Sequence, residues 1–363
     1  MDKDKEKSEF FYMAKLIDKV IFAFKRVMKS IKYFRDFPQV SDDRLARFST
    51  WDAELGWCPK PGMKKEDSVS SRALKGRIPF WTIDQIGSRI TSRTKNTKND
   101  TFSIYGDSFA MSREVHDNET IAWQFGEIFD TYCANYGVGN YGLDQSLLRL
   151  ERCIENDRTN FVCIVVCVAT MARTVGIFKH WLEKGNVFGV KPRAYIDDNG
   201  KLCFLPNPVK NKGEIKKLCR KREMLVNWDG NYQFFKNNRF KILGNYVQEY
   251  NLQIWSDQSD LFYALMKKFS NLGNKYKFSP KFILLADKGV AKKRINGHTL
   301  QYQNVIEKAS LEFSDIDFLD LTLDLYNKID INDAYVNGGG GHFSPKANCA
   351  IAQLIGDRVF KNL

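Results

Sequence analysis

Histidine is scarce in this chain of 363 residues, which has only His116, His180, His298 and His342. None stands in the HExxH spacing by which one helix presents two imidazoles to zinc, so no zincin-type site is written here. The eight cysteines are scattered without a CxxC pair, which removes the usual zinc-ribbon and dithiol patterns and points to a reducing compartment. Cys163 and Cys167 lie in an apolar run and read as small buried hydrophobes. No apolar run reaches the ~18 residues of a membrane span, and the opening MDKDKEKSE carries no secretory pattern. A cytoplasmic location follows as an expectation. No dinucleotide fingerprint accompanies the first core strand. Neither a metal nor a cofactor is expected.

What is present is a substantial core and an uneven positive charge. The chain is 43% hydrophobic with 27 Phe and 15 Tyr, enough for one large domain with additions. The formal charge is +13, and residues 1–35 and 210–223 each contribute +5. Met13, Leu16, Ile17, Val20, Ile21, Phe24, Val27, Met28 and Ile31 recur at helical spacing, with Lys15, Lys19, Lys25, Arg26, Lys29 and Lys32 mostly opposite. Residues 1–45 therefore read as a basic amphipathic helical segment. It has two readings: it docks on its own domain or a second copy, or it lies on an anionic membrane from the cytoplasmic side. The 210–223 run, with Trp228, Tyr232, Phe234 and Phe235 nearby, also fits a polyanion or nucleic-acid surface, although a solvated face is the plainer reading.

Residues 46–100 read as an irregular lead-in with short strands, since Pro59, Pro61 and Gly62 exclude a helix. Trp51, Trp57 and Trp81 read as packing groups. From 101 onward, strands alternate with helices. Strand 102–106 precedes a helix at about 118–132, and FVCIVVCVA (161–169) reads as a buried central strand. After an insertion at about 175–278, FILLADKG (282–289), a helix near 299–309, DFLDLT (317–322) and a final helix from Pro345 complete the pattern. Ser344 is the expected N-cap of that last helix. The pattern predicts a three-layer α/β/α sandwich around a mostly parallel sheet, occupying 101–363.

Ser108 follows the first core strand, at the sheet edge where open α/β folds keep their chemistry. A serine needs a base, and His342, just before the last helix, can reach the same edge. Backbone N–H groups of Ser108 and of Gly139 or Asn140 are candidates for an oxyanion hole. Arg113 and Arg173 fall close enough to meet an anionic substrate. Asp144 reads as a cap of the helix after the second loop.

YGDSF (105–109), NYGVGNYGLDQSLLRLE (135–151) and GHFSPKANCAIAQLI (341–355) occur in this order. Together they resemble the blocks of the SGNH, or GDSL-type, hydrolases. The resemblance implies Ser108 as nucleophile, His342 as base, and Asn140 at the family's oxyanion glycine. Two positions depart from it: Thr170 stands where the family has Asn, and Gly339 where it has the Asp that orients the base. A Thr hydroxyl can still donate to an oxyanion, and Asp333 or Asp320 can reach the base from another direction. ELGWCPKPG and KPRAYIDDNGKLCFLPNP look like segments of bacterial members linked with surface polysaccharide. The implied substrate is an O-acylated sugar or polysaccharide precursor. The implied activity is serine-dependent ester hydrolysis, or acyl transfer from the same serine; a non-catalytic member is the remaining alternative.

Overall fold

The computed structural model describes residues 50–66, 78–95, 100–178, 189–220, 230–231, 245–337 and 341–360, together with positions 13, 17, 20, 21, 24, 28 and 42. The main sheet begins with β1 (Thr101–Gly106), then helix α1 (Ile121–Phe129), β2 (Tyr132–Asn135), α2 (Leu143–Cys153) and β3 (Phe161–Cys167). After β3 come a 3₁₀ segment, Val168–Arg173, and helices α3 (Glu214–Arg220), α4 (Asn245–Asp257) and α5 (Ser259–Tyr276). The chain then forms β4 (Ser279–Leu285), α6 (Lys288–Ile295), α7 (Gln301–Glu312), β5 (Asp317–Asp320), α8 (Thr322–Lys328) and α9 (Pro345–Phe360).

The five strands are ordered β5-β4-β3-β1-β2, and all their pairings are parallel. In chain order this is 2-1-3-4-5, the flavodoxin-like arrangement of the mostly parallel sheet that the pattern predicts. It reverses direction between β1 and β3, and the carboxyl ends of those two strands open the crevice where such sheets bind ligands.

Alternation along the central strands sends side chains to two cores. Tyr105, Ile164, Val166, Phe282 and Leu284 pack beneath α2, α4, α5 and α7. Phe102, Ile104, Val165, Cys167, Ile283 and Leu285 pack beneath α1, α8 and α9. All seven residues of β3 are buried, which is why FVCIVVC has no polar alternation. Burying each large apolar side chain contributes roughly 1.5–3 kcal/mol, so the two faces hold the three layers together. On α5, Leu261, Phe262, Leu265, Met266, Phe269 and Leu272 form the buried stripe at steps of three and four. The excursion expected over 175–278 thus ends in packed crossover helices, which parallel neighbours require.

Ser344 caps α9, its hydroxyl accepting from Ala347 N–H at 3.2 Å. Asp144 meets the first turn of α2 as expected, its Oδ1 accepting from Gln145 N–H at 2.9 Å, and Gln145 Oε1 accepts from Gly142 N–H at 3.2 Å. The other oxygen of this fully buried carboxylate, Oδ2, accepts from Lys191 Nζ at 2.5 Å and from Ala194 N–H at 3.3 Å. Burial raises the Asp144 carboxyl above the usual range despite Lys191.

The lead-in is bound to the domain, not appended to it. Arg89 pairs by its backbone with Asn135 and so covers the outer edge of β2. Trp57 Nε1 donates to Gly139 O at 2.9 Å, and Tyr141 Oη donates to Trp57 O at 2.6 Å. Further upstream, Met13, Ile17, Val20, Ile21, Phe24 and Met28 are helical and exposed. No described helix is long and apolar enough to cross a membrane.

Candidate active site

Gly106 ends β1 at φ +148, and a Cβ there would sit 1.9 Å from Val165 O on the neighbouring strand. Only glycine lets the chain turn at this point against β3. Asp107 follows, buried, and its carboxylate fixes the turn. Oδ1 accepts from Phe109 N–H at 2.8 Å, and Oδ2 accepts from Thr170 Oγ1 at 2.8 Å and Cys167 N–H at 3.3 Å. Asp107 thereby ties the end of β1 to the end of β3 and holds Ser108 between them. Ser108 is 2% exposed. Its carbonyl accepts from Arg113 N–H at 3.1 Å, which coils residues 108–113 into tight turns.

His342 arrives from the other end of the chain. The segment around it is fixed by the bridge Tyr335↔Phe343 and by Val336 N–H donating to His342 O at 2.9 Å. Its ring centroid lies 5.2 Å from that of Phe109, the residue after Ser108. The structure thus brings the loops bearing Ser108 and His342 together across 234 positions of sequence. Residues Gly338, Gly339 and Gly340 lie outside the described residues.

The carboxylate beside the imidazole is one the sequence reading did not name. Glu114 Oε1 lies 3.1 Å from His342 Nδ1, and the Glu114 side chain is 1% exposed. The two atoms are within ion-pair range but are not aligned as a formed hydrogen bond. Asp333, expected as orienter, accepts from Lys346 Nζ at 3.0 Å with its side chain largely exposed. It shares with Glu114 the wall of an open cavity of about 410 Å³, also lined by Tyr335 and Asn337. Asp320 is committed elsewhere, accepting from Tyr302 Oη at 2.7 Å and Thr322 N–H at 3.0 Å. Glu114 escaped notice because it lies in a loop, where no periodicity marks a side chain as buried.

Thr170 differs from its expected part in an oxyanion hole. Its hydroxyl is 2.8 Å from Asp107 Oδ2 and 2.7 Å from Cys167 O. One proton serves one of these acceptors, so the group braces the turn. Thr170→Val is expected to lose about 1–2 kcal/mol of stability in urea melts while reactivity at Ser108 falls less than tenfold. A fall of roughly 10²–10³ without loss of stability would make Thr170 an oxyanion donor after all.

The backbone candidates fare differently. Among the described residues, the N–H groups of Ser108, Gly139 and Asn140 donate to nothing. Asn140 adopts φ +73, a left-handed conformation that Asn tolerates better than most side chains. Gly137 packs so tightly that a Cβ would lie 2.2 Å from Met111 N, which sets the second loop against the Ser108 turn. Arg113 crosses Gly139 and lies over the Trp81 ring, 5.4 Å from its centroid. Arg173 ends the 3₁₀ segment beside Gly142, where a Cβ would lie 2.9 Å from the Arg173 carbonyl carbon. Both arginines therefore border the second loop.

Cysteine chemistry is disfavoured at this edge. Burial pushes the Cys163 thiol up to about 12 and the Cys133 and Cys167 thiols well above their ordinary value, and a nucleophile needs the thiolate. Among the described residues no cluster of three His, Cys, Asp or Glu is placed to hold a metal.

No family model matches this sequence, and no curated protein matches it. Among solved structures, a lipase/acylhydrolase from Enterococcus faecalis is similar at 10% identity, covering 73% of this chain and 97% of its own, with a TM-score of 0.39. A member of the lipolytic G-D-S-L family from Veillonella parvula is similar at 11% identity, covering 73% and 100%, with a TM-score of 0.38. An acetyl xylan esterase is similar at 13% identity, covering 71% and 99%, with a TM-score of 0.37. Likenesses this distant say nothing of what this chain acts on.

Proposed function

We propose that the chain is a serine esterase of the SGNH type, acting on O-acyl groups of carbohydrate, with O-acetyl the foremost candidate. The observation that carries this reading is the meeting of the Ser108 turn with His342 at the carboxyl edge of the parallel sheet, where Phe109 touches the imidazole. The ordered sequence blocks at 105–109, 135–151 and 341–355 support it independently.

In this reading Ser108 Oγ attacks the ester carbonyl carbon as His342 takes its proton. The negative oxygen is met by the N–H groups of Ser108 and of Gly139 or Asn140. The tetrahedral species collapses with cleavage of the C–O bond to the leaving sugar, which receives the proton from His342. Water then attacks the acyl-serine, passes a proton to the imidazole, and releases the acid with Ser108 restored. A sugar hydroxyl in place of water would make the same site an acyltransferase. Incubation with acetylated oligosaccharides, following acetate release against acetyl transfer to an added acceptor, separates the two. Release or transfer that requires Ser108 supports the reading. Neither product from any acylated sugar, in folded protein, would remove carbohydrate esters as its substrates.

The basic run gives the polyanion alternative less support. In α3, Ile215 and Leu218 are buried while Lys216 pairs with Asp42 at 3.0 Å. Such a helix is anchored by apolar residues and solvated on its charged side. Trp228, Tyr232, Phe234 and Phe235 lie outside the described residues.

The exposed apolar stripe from Met13 to Met28 favours contact with a membrane over docking on its own domain. Six Lys/Arg and one acidic residue, Asp18, occupy positions 13–32, a charge that complements anionic lipid. The protein is expected to float with vesicles containing phosphatidylglycerol and not with phosphatidylcholine alone, and Phe24→Glu should abolish flotation. Equal behaviour with both vesicles, alongside a dimer that Phe24→Glu dissociates, would assign the stripe to a second copy.

A further inference from the structure

Residues 111–115 follow an unusual path. Ser112 and Glu114 both have left-handed backbones, at φ +54 and +71, and neither is glycine. Such conformations persist only where the surroundings dictate them, and they cluster at functional sites. Here they are dictated by Arg89, a buried residue of the lead-in. Its Nη1 donates to Met111 O and Ser112 O, each at 2.9 Å, and its Nη2 donates to Val115 O at 2.8 Å and Phe80 O at 3.0 Å. Its Nε meets Asp117 Oδ1 at 2.6 Å. One planar guanidinium thus gathers the carbonyls on both sides of Glu114. A lysine, with a point charge and no fork, cannot reproduce that pattern. The result is that Glu114 turns inward, with Oε1 3.1 Å from His342 Nδ1.

We infer that Glu114 is the acid that orients His342, and that Arg89 is the residue that holds Glu114 in place. This rests on the reading of Ser108 and His342 as nucleophile and base. A carboxylate at Nδ1 keeps the proton on that nitrogen, leaves Nε2 as the base, and stabilises the imidazolium formed during attack. Gly339, three residues before His342, offers the base no side chain. The acid comes instead from the loop after β1, only six residues beyond the nucleophile. A glutamate spans the gap with one methylene more than an aspartate would. The lead-in, remote in sequence, is then part of what sets the base. The other charged groups at the shared cavity are Asp333 and Lys346, paired with each other at 3.0 Å.

The test compares wild type, Glu114→Gln, Glu114→Asp, Arg89→Lys and Asp333→Asn, each checked for folding by thermal melting. Two readouts are taken: nitrogen-15 spectra of the His342 ring, and the pH profile of inactivation by a fluorophosphonate. Wild type is expected to hold the Nδ1–H tautomer. Glu114→Gln should move the ring toward Nε2–H and slow inactivation about 10²–10⁴-fold across the pH profile. Glu114→Asp should restore part of both signals, Arg89→Lys should move both in the direction of Glu114→Gln, and Asp333→Asn should stay within about threefold of wild type. An unchanged tautomer and rate in folded Glu114→Gln would overturn the inference, as would transfer of those effects to Asp333→Asn. If wild type resists the probe while the tautomer still responds to Glu114→Gln, the pairing stands and the serine-esterase reading falls.

Discussion

Ser108→Ala is expected to abolish hydrolysis of p-nitrophenyl acetate and of any acylated sugar the wild type cleaves. Removing the nucleophile of such a triad lowers turnover by roughly 10⁴–10⁶-fold, leaving only what binding and the oxyanion donors supply. Stability should hardly change. The Asp107 carboxylate forms the turn through Phe109 N–H, Cys167 N–H and Thr170 Oγ1, and the Ser108 contribution to it is a backbone carbonyl. A melting temperature close to wild type, with turnover at background, is the predicted pair of results. Activity persisting above a tenth of wild type would mean that the reacting atom belongs to another residue.

Gly106→Ala has the largest expected effect on folding. The added methyl would lie 1.9 Å from Val165 O and 2.8 Å from Ala110 Cβ, with φ at +148. Val165, within the fully buried β3, stands opposite Gly106 and is paired on its other side with Ile283 of β4, so its backbone cannot withdraw. Strain of this kind, together with disruption of the ladder, belongs with the severe class of substitutions, at about 4 kcal/mol or more. Urea titration of the purified variant should show a large fall in midpoint, or the variant should fail to accumulate as folded protein. A midpoint within the wild-type range would mean that the β1–β3 junction is looser than described. Gly200 offers a control: it also has positive φ, at +75, but a Cβ there meets nothing within 4 Å. Its replacement by alanine should cost only the local backbone strain, roughly 1 kcal/mol.

These two neighbours show what the sequence made legible and what it hid. The run FVCIVVC announced a strand buried on both faces because no polar residue interrupts it. The positions of Ser108 and His342 could be read from topology: loops after parallel strands converge on one edge, whatever their separation in the chain. The last helix was marked by Ser344 and Pro345, a cap and a tolerated first-turn proline. Local chemistry was enough for each of these.

The arrangement around the imidazole depends on long-range packing and was hidden for that reason. Glu114 is charged and lies among Ser112, Arg113 and His116, a stretch that reads as solvated loop. Its burial follows from the Arg89 guanidinium, twenty-five residues upstream, whose ability to gather three loop carbonyls has no periodic signature. Asp333 looked suitable because a loop can bring it to the base from another direction, yet its carboxylate accepts from Lys346, the second residue of α9. Thr170 occupied the right alignment position but is engaged by Asp107, a residue whose own role in the turn was not apparent from GDS alone. Charges near a site in sequence compete for partners, and only the fold decides which pairing wins.

The central claim is that this fold activates one serine. The most direct measurement is intact-protein mass after exposure to a fluorophosphonate, followed by peptide mapping of the adduct. One adduct per chain, located on Ser108 and absent from Ser108→Ala, is the predicted result. Folded wild-type protein that acquires no adduct, or acquires one on a different residue, would contradict the account.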